Sequence, residues 1–135
     1  MKRTVDTSVL VAAYGSWHAS HDMARRALQA SFVPIAHTLL EAYSTLTRMP
    51  QPARATPANA LTFLESCVDH APIALTGAEC LALVRTLAGQ GIAGGRVYDA
   101  LIATTAMKHA LTLFTLDTRA SVTYEALGAR YQLLA

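Results

Sequence analysis

Leu111-Thr112-Leu113-Phe114-Thr115-Leu116-Asp117 is the stretch whose reading decides the fold. Its first five residues form a short apolar run, bounded by a helical pattern before it and a carboxylate after it. A run of that kind reads as a buried strand, and burial on both faces belongs to a parallel sheet. Working outward, a helix from about Arg96 to His109 precedes this strand, entered through the glycine-rich stretch Gly89 to Gly95. Earlier still, Thr76 caps a helix ending near Gly89, and Pro72–Leu75 reads as a strand. Thr56-Pro57 opens a helix reaching about His70, a cap followed by proline at the first helical position.

The N-terminal half repeats the alternation. Lys2–Val5 is a strand candidate ending at Asp6, and a helix runs from Thr7 to Tyr14, stopped by Gly15. Ser20 is placed to cap a helix from His21 to about Ala30. Phe32–Ala36 reads as a strand, its proline suited to an edge. A helix from about Thr38 to Arg48 follows, with Leu39, Leu40, Tyr43 and Leu46 on its apolar side, before a proline-punctuated loop. The tail offers a short helix near Ser121–Leu127 and a strand at Tyr131–Leu134. Strands alternating with helices predict an α/β fold, a mostly parallel sheet covered on both faces.

The bulk properties set limits. A chain of 135 residues is long enough for one domain, 1–135, around one core. Hydrophobic content of 53% with 15% charge excludes a disordered chain. No apolar run reaches the roughly 18 residues of a membrane span, and no basic, apolar and small-residue leader opens the sequence. Cys67 and Cys80 have no metal-binding spacing and read as reduced core thiols of a cytoplasmic protein, a disulfide being the lesser alternative. A net charge of +2 does not identify a nucleic-acid binder. Arginine's dominance over lysine suits phosphate contacts, but a GC-rich genome produces the same bias.

Four of the nine acidic residues, Asp6, Glu41, Asp99 and Asp117, sit beside apolar runs. In open α/β sheets functional groups gather beyond the carboxyl ends of the strands. Asp6 and Asp117 lie at such ends, Glu41 about one turn into its helix, and Asp99 in the first turn of its own. Buried carboxylates are costly unless balanced, and a divalent ion such as Mg²⁺ or Mn²⁺ balances an oxygen-rich set. A metal in such a crevice activates water and neutralises a scissile phosphodiester. Singly, each aspartate has a plainer role as helix cap, first-turn charge or turn residue. The coincidence of all four carries the site.

Four segments also resemble a known family in order. Val5-Asp6-Thr7-Ser8-Val9-Leu10 is similar to the opening motif of PIN-domain ribonucleases, especially the VapC toxins of bacterial toxin–antitoxin pairs. Leu40-Glu41-Ala42-Tyr43 with Leu46-Thr47-Arg48 looks like the second motif, and Tyr98-Asp99-Ala100-Leu101-Ile102-Ala103 like the third. Leu113-Phe114-Thr115-Leu116-Asp117 resembles the closing one. The resemblance implies a PIN-like three-layer α/β/α sandwich and endonucleolytic cleavage of RNA with Mg²⁺ or Mn²⁺. It implies Asp6 and Asp99 as direct metal ligands, with Glu41 and Asp117 completing the acidic pocket. Ser8 and Thr115 match supporting polar positions. A VapB-type antitoxin and a homodimer are the implied partners. The sequence departs from the pattern after Asp117, where Thr118-Arg119-Ala120 stand in place of a frequent aromatic.

Other signals are weaker. Gly89-Gln90-Gly91-Ile92-Ala93-Gly94 matches a dinucleotide-binding pattern formally, but a helix rather than a strand precedes it. His18 and His21 lack a third zinc ligand. Arg25, Arg26, Arg48, Arg54, Arg96 and Arg119 are candidates to rim the crevice, Arg96 being best placed to hold RNA, one turn before Asp99. Tyr14 reads as packing between the first two helices, Trp17 as a partner contact. Two rival readings stay open: a non-catalytic PIN-like module binding RNA or protein, and a DNA-directed nuclease.

Overall fold

The computed structural model describes residues 2–134. Ten elements follow in order: β1 (Arg3–Val5), α1 (Thr7–Tyr14), α2 (His21–Gln29), α3 (Ala36–Arg48), α4 (Pro57–Cys67), α5 (Gly77–Gln90), α6 (Arg96–Lys108), β2 (Thr112–Thr115), α7 (Thr118–Ala126) and β3 (Tyr131–Leu133). The three strands make a parallel sheet with β2 in the centre, Leu113 registering with Thr4 on one side and Tyr131 on the other.

Successive strand residues point to opposite faces, and β2 uses both. Phe114 packs with Val9, Leu10, Ala24 and Phe32 under α1 and α2. Leu113 packs with Ile102, Ala106 and Tyr124 under α6 and α7. This two-sided burial makes the molecule the expected three-layer α/β/α sandwich.

Two expected strands are shorter than the sequence suggests. Within Phe32–Ala36 and Pro72–Leu75 only Ile35 and Ile73 pair, as an isolated parallel bridge. Val33 still donates to Arg3 O at 2.9 Å and Ile73 to Pro34 O at 2.9 Å, so both segments continue the sheet beyond β1. Pro34 and Pro72 carry no N–H, and a ladder missing donors does not extend.

Other boundaries move for local reasons. The last helix begins at Thr118 rather than Ser121, because Asp117 caps it. α4 stops at Cys67, short of His70. Ser20 stands at the start of α2 without making a side-chain cap bond. α3 buries Thr38, Ala42 and Leu46, which leaves Leu40 on the far side and 72% exposed, with Tyr43 outward as well. Cys80 is exposed rather than part of the core, and both cysteines are free. Tyr14 packs edge-on against Phe63 of α4 rather than between α1 and α2. Gly15 does end α1, for lack of space: a Cβ there would come 2.5 Å from the Trp17 indole.

Leu113 is fully buried at the centre of the sheet. Leu113→Ala is predicted to cost about 2–5 kcal/mol in urea unfolding, because the surrounding helices cannot close over the cavity. A loss below about 1 kcal/mol would show that β2 is not the packing centre.

Candidate active site

Asp6 leaves the end of β1 and immediately becomes the N-cap of α1, its backbone N–H reaching Phe114 O at 3.2 Å. The residue is 3% exposed. Oδ1 accepts from both the Ser8 backbone N–H, at 3.1 Å, and the Ser8 hydroxyl. Oδ2 accepts from the Tyr124 hydroxyl at 2.7 Å. The cap role is therefore real, but it engages one oxygen and does not explain the burial of the other.

Ser8 and Thr115 join this acid to the next. The Ser8 hydroxyl accepts from Leu116 N at 2.9 Å and lies 3.4 Å from Thr115 Oγ1. Thr115 Oγ1 in turn accepts from Asp117 N at 3.0 Å. Asp117 Oδ1 caps α7, taking the N–H groups of Arg119 and Ala120 at 2.9 and 3.2 Å. One chain of hydrogen bonds thus runs from Asp6 to Asp117 across the ends of β1 and β2.

Glu41 arrives from α3 and Asp99 from α6. The Thr7 hydroxyl donates to Glu41 Oε1, which fastens α3 to the start of α1. His37, one turn earlier on α3, places Nε2 3.6 Å from Glu41 Oε2. Asp99 makes no hydrogen bond to a side chain among the described residues. It feels its neighbours through charge instead. Burial, then repulsion from Asp117, Glu41 and Asp6 in that order, raise its carboxyl from 3.8 to about 6, against a smaller pull from Arg119. Repulsion between like charges on this scale requires proximity. Asp99 therefore lies within electrostatic reach of the other three sequence-predicted acids.

Burial also pushes the Asp6 carboxyl up, and the Ser8 and Tyr124 hydrogen bonds pull against it. Tyr124 is driven far above its ordinary range by burial and by Asp6, so it stays a neutral donor. Among the described residues, no three His, Cys, Asp or Glu side chains form a ready-made cage for an ion. Mg²⁺ does not need one: it keeps several waters and takes one or two carboxylates directly. Repulsion on a half-buried aspartate, offset only in part by Arg119, is the feature that a cation relieves, and an all-oxygen donor set suits a hard divalent ion.

Arg96 is exposed, and its Nε donates to Thr123 Oγ1 at 3.1 Å, tying α6 to α7 beside the pocket. His18 accepts from Ser20 N, and His21 bonds Ala12 O, which accounts for both without zinc. Gly89 lies in the last turn of α5 and Gly91 ends that helix at φ 68, so a helix stands where a dinucleotide site needs a strand.

Two residues of the site escape sequence reasoning. Thr7 reads only as the first helical residue after Asp6. Tyr124 lies 118 positions from Asp6, in a segment read as a short tail helix, and nothing local marks its hydroxyl as buried. A tyrosine on an otherwise weakly apolar helix is the one available signal, because a buried phenol needs a partner.

Comparisons with known proteins identify the family. Residues 4–126 match the PIN domain family. The chain is 40% identical over 129 residues to ribonuclease VapC40 of Mycobacterium tuberculosis, covering 96% of each chain. Ribonuclease VapC27 of the same organism is 41% identical over 99 residues, 73% of this chain and 72% of that one.

Asp99 holds its proton more tightly folded than unfolded, so the folded state binds more protons between about pH 4 and 6, and stability falls as pH rises through that window. In metal-free protein the melting temperature is predicted to drop from about pH 4 to pH 7, and Asp99→Asn to flatten the drop. An equal drop in the variant would contradict the shared pocket. Tyr124→Phe removes the donor to Asp6 while keeping the ring. It should weaken divalent-ion affinity by about 10-fold or more, the scale of a lost outer hydrogen bond, with little change in fold. Unchanged ion affinity would place Asp6 outside the ion's reach.

Proposed function

From a chain that belongs to the PIN-domain family, we propose a metal-dependent endoribonuclease, one domain over 1–135, acting as the toxin of a type II toxin–antitoxin pair. The observation that carries this reading is the half-buried carboxyl of Asp99, raised by burial and by repulsion from Asp117, Glu41 and Asp6. That two relatives are named ribonucleases supports it. A pure binding module has no use for negative charge concentrated where phosphates would lie.

In this reading Asp6 and Asp99 would hold Mg²⁺ or Mn²⁺ directly, and Glu41 and Asp117 would complete the pocket, directly or through water. The ion, when bound, activates water and neutralises charge on the scissile phosphate. The chain's own groups supply orientation. Ser8 and Tyr124 fix the rotamer of Asp6, and Thr7 fixes Glu41. Backbone donors take Oδ1 of Asp117, and Oδ2 has no protein donor among the described residues, so it is free to receive a proton from the attacking water. As the new P–O bond forms, the bond to the 3′ oxygen breaks and that oxygen takes up a proton, leaving 5′-phosphate and 3′-hydroxyl ends. Thr123 occupies only Nε of Arg96, which leaves the remaining guanidinium N–H groups for the RNA backbone.

A VapB-type antitoxin, a homodimer and a cytoplasmic setting complete the proposal. The VapC names of the relatives support the first of these. No helix among the described residues is long and apolar enough to cross a membrane.

The test is cleavage of RNA by purified protein with Mg²⁺ or Mn²⁺. Cleavage is predicted to stop on chelation and to fall more than about a hundredfold in Asp6→Asn and in Asp99→Asn. RNA bound but uncut by the wild type would favour the non-catalytic module, and preferential cutting of DNA the DNA-directed nuclease. Full cleavage by an Asp6→Ala/Asp99→Ala double variant would rule out catalysis at this pocket.

A further inference from the structure

Two aromatic side chains beside the acids have no part in the scheme above. Tyr98 immediately precedes Asp99 in the first turn of α6, and the residue is 53% exposed. His37 stands one turn before Glu41 on α3. Their rings stack, with centroids 5.3 Å apart and planes inclined by only 7°. With ring planes about 3.5 Å apart, that spacing means a lateral offset of about 4 Å, the offset-parallel arrangement that aromatic pairs favour. The pair joins α3 to α6 at the edge of the pocket, with a carboxylate adjoining each partner.

A large aromatic ring this exposed lies outside the clusters that bury the core. Stacking on His37 limits its rotation, so its orientation is set before any ligand arrives. A fixed, partly bare aromatic plane offers what a nucleobase needs, since every base has a π face and stacking tolerates any sequence. It also attracts substrate where the carboxylates would repel it. We propose that Tyr98, steadied by His37, is a nucleobase-stacking site that holds a nucleotide next to the scissile phosphate. The inference rests on the nuclease reading and sharpens it. A base reaches this ring only when unstacked from its neighbours, so the RNA must be single-stranded or splayed at that point.

The same geometry assigns unequal roles to the two rings. Tyr98 meets the base. His37 is a positioning residue, acting through the orientation of Tyr98. Loss of the first should therefore cost more than loss of the second, and any planar replacement at 98 should restore binding.

The experiment uses short single-stranded RNAs, each carrying one 2-aminopurine at a different position. They are titrated into the Asp99→Asn protein, where cleavage does not interfere. At one position the fluorescence should be quenched on binding. In that background Tyr98→Ala should abolish the quenching and weaken binding by about 10-fold, while Tyr98→Phe preserves both. In the otherwise wild-type enzyme, Tyr98→Ala should raise KM by a similar factor and leave kcat nearly unchanged. His37→Ala should raise KM less.

Wild-type cleavage with KM and quenching unaltered by Tyr98→Ala would overturn the stacking site and leave the nuclease reading intact. Failure of the unsubstituted chain to bind or cut any of these RNAs would overturn both. A lower solution mass for Tyr98→Ala with KM unchanged would assign the ring to contact between copies instead, and would also overturn the inference.

Discussion

The buried carboxylate of Asp6 is the constraint on which the rest of the structure depends. A charge on a residue with 3% exposure survives only if its lone pairs are met, and here Ser8 and Tyr124 meet them. These partners come from the first turn of α1 and from α7. The same Ser8 hydroxyl takes the Leu116 N–H at the end of β2. One acid therefore registers the central strands, the helix that follows β1 and the helix that follows β2. Ordinary packing of Leu113 and Phe114 sets the two layers. The polar network decides how their ends align.

That alignment has an electrostatic cost, which the proposed chemistry would put to use. Acids from the N-cap of α1, from α3 and from the N-cap of α7 all raise the carboxyl of Asp99 in α6, beyond what burial does. A fold selected only for stability would replace some of them with neutral groups. Retaining them makes sense where a hard cation is bound and a polyanionic substrate must approach it. The exposed ring of Tyr98 beside Asp99 then supplies attraction that owes nothing to charge.

Much of this was legible in the sequence, for reasons that can be stated. The β2 run and the helix before it have strong, bounded patterns, so element order and fold class followed. Asp6 and Asp117 were found because strand ends are visible as the point where an apolar run meets a carboxylate. Glu41 was singled out for standing beside an apolar run, yet Leu40 in that run faces outward, and the side chain that engages Glu41 is Thr7. Single-chain periodicity cannot say which side of α3 meets the core when Thr38 and Ala42 are the buried residues. The strands at 32–36 and 72–75 shrank to one bridge because prolines remove the donors that pattern reading takes for granted. Tyr124 and the His37–Tyr98 stack are long-range facts, created by elements that sequence spacing cannot bring together.

The central claim is that these carboxylates form one cation site, and calorimetric titration of Mn²⁺ into metal-free protein tests it most directly. Asp99 is about half protonated near pH 6, so binding there must displace a proton that is already gone near pH 8. The account predicts binding at millimolar Mn²⁺ or below, with proton release near pH 6 that largely disappears near pH 8 and affinity that collapses in Asp6→Asn/Asp99→Asn. Absence of binding up to about 10 mM, or binding of equal strength in the double variant, would contradict it.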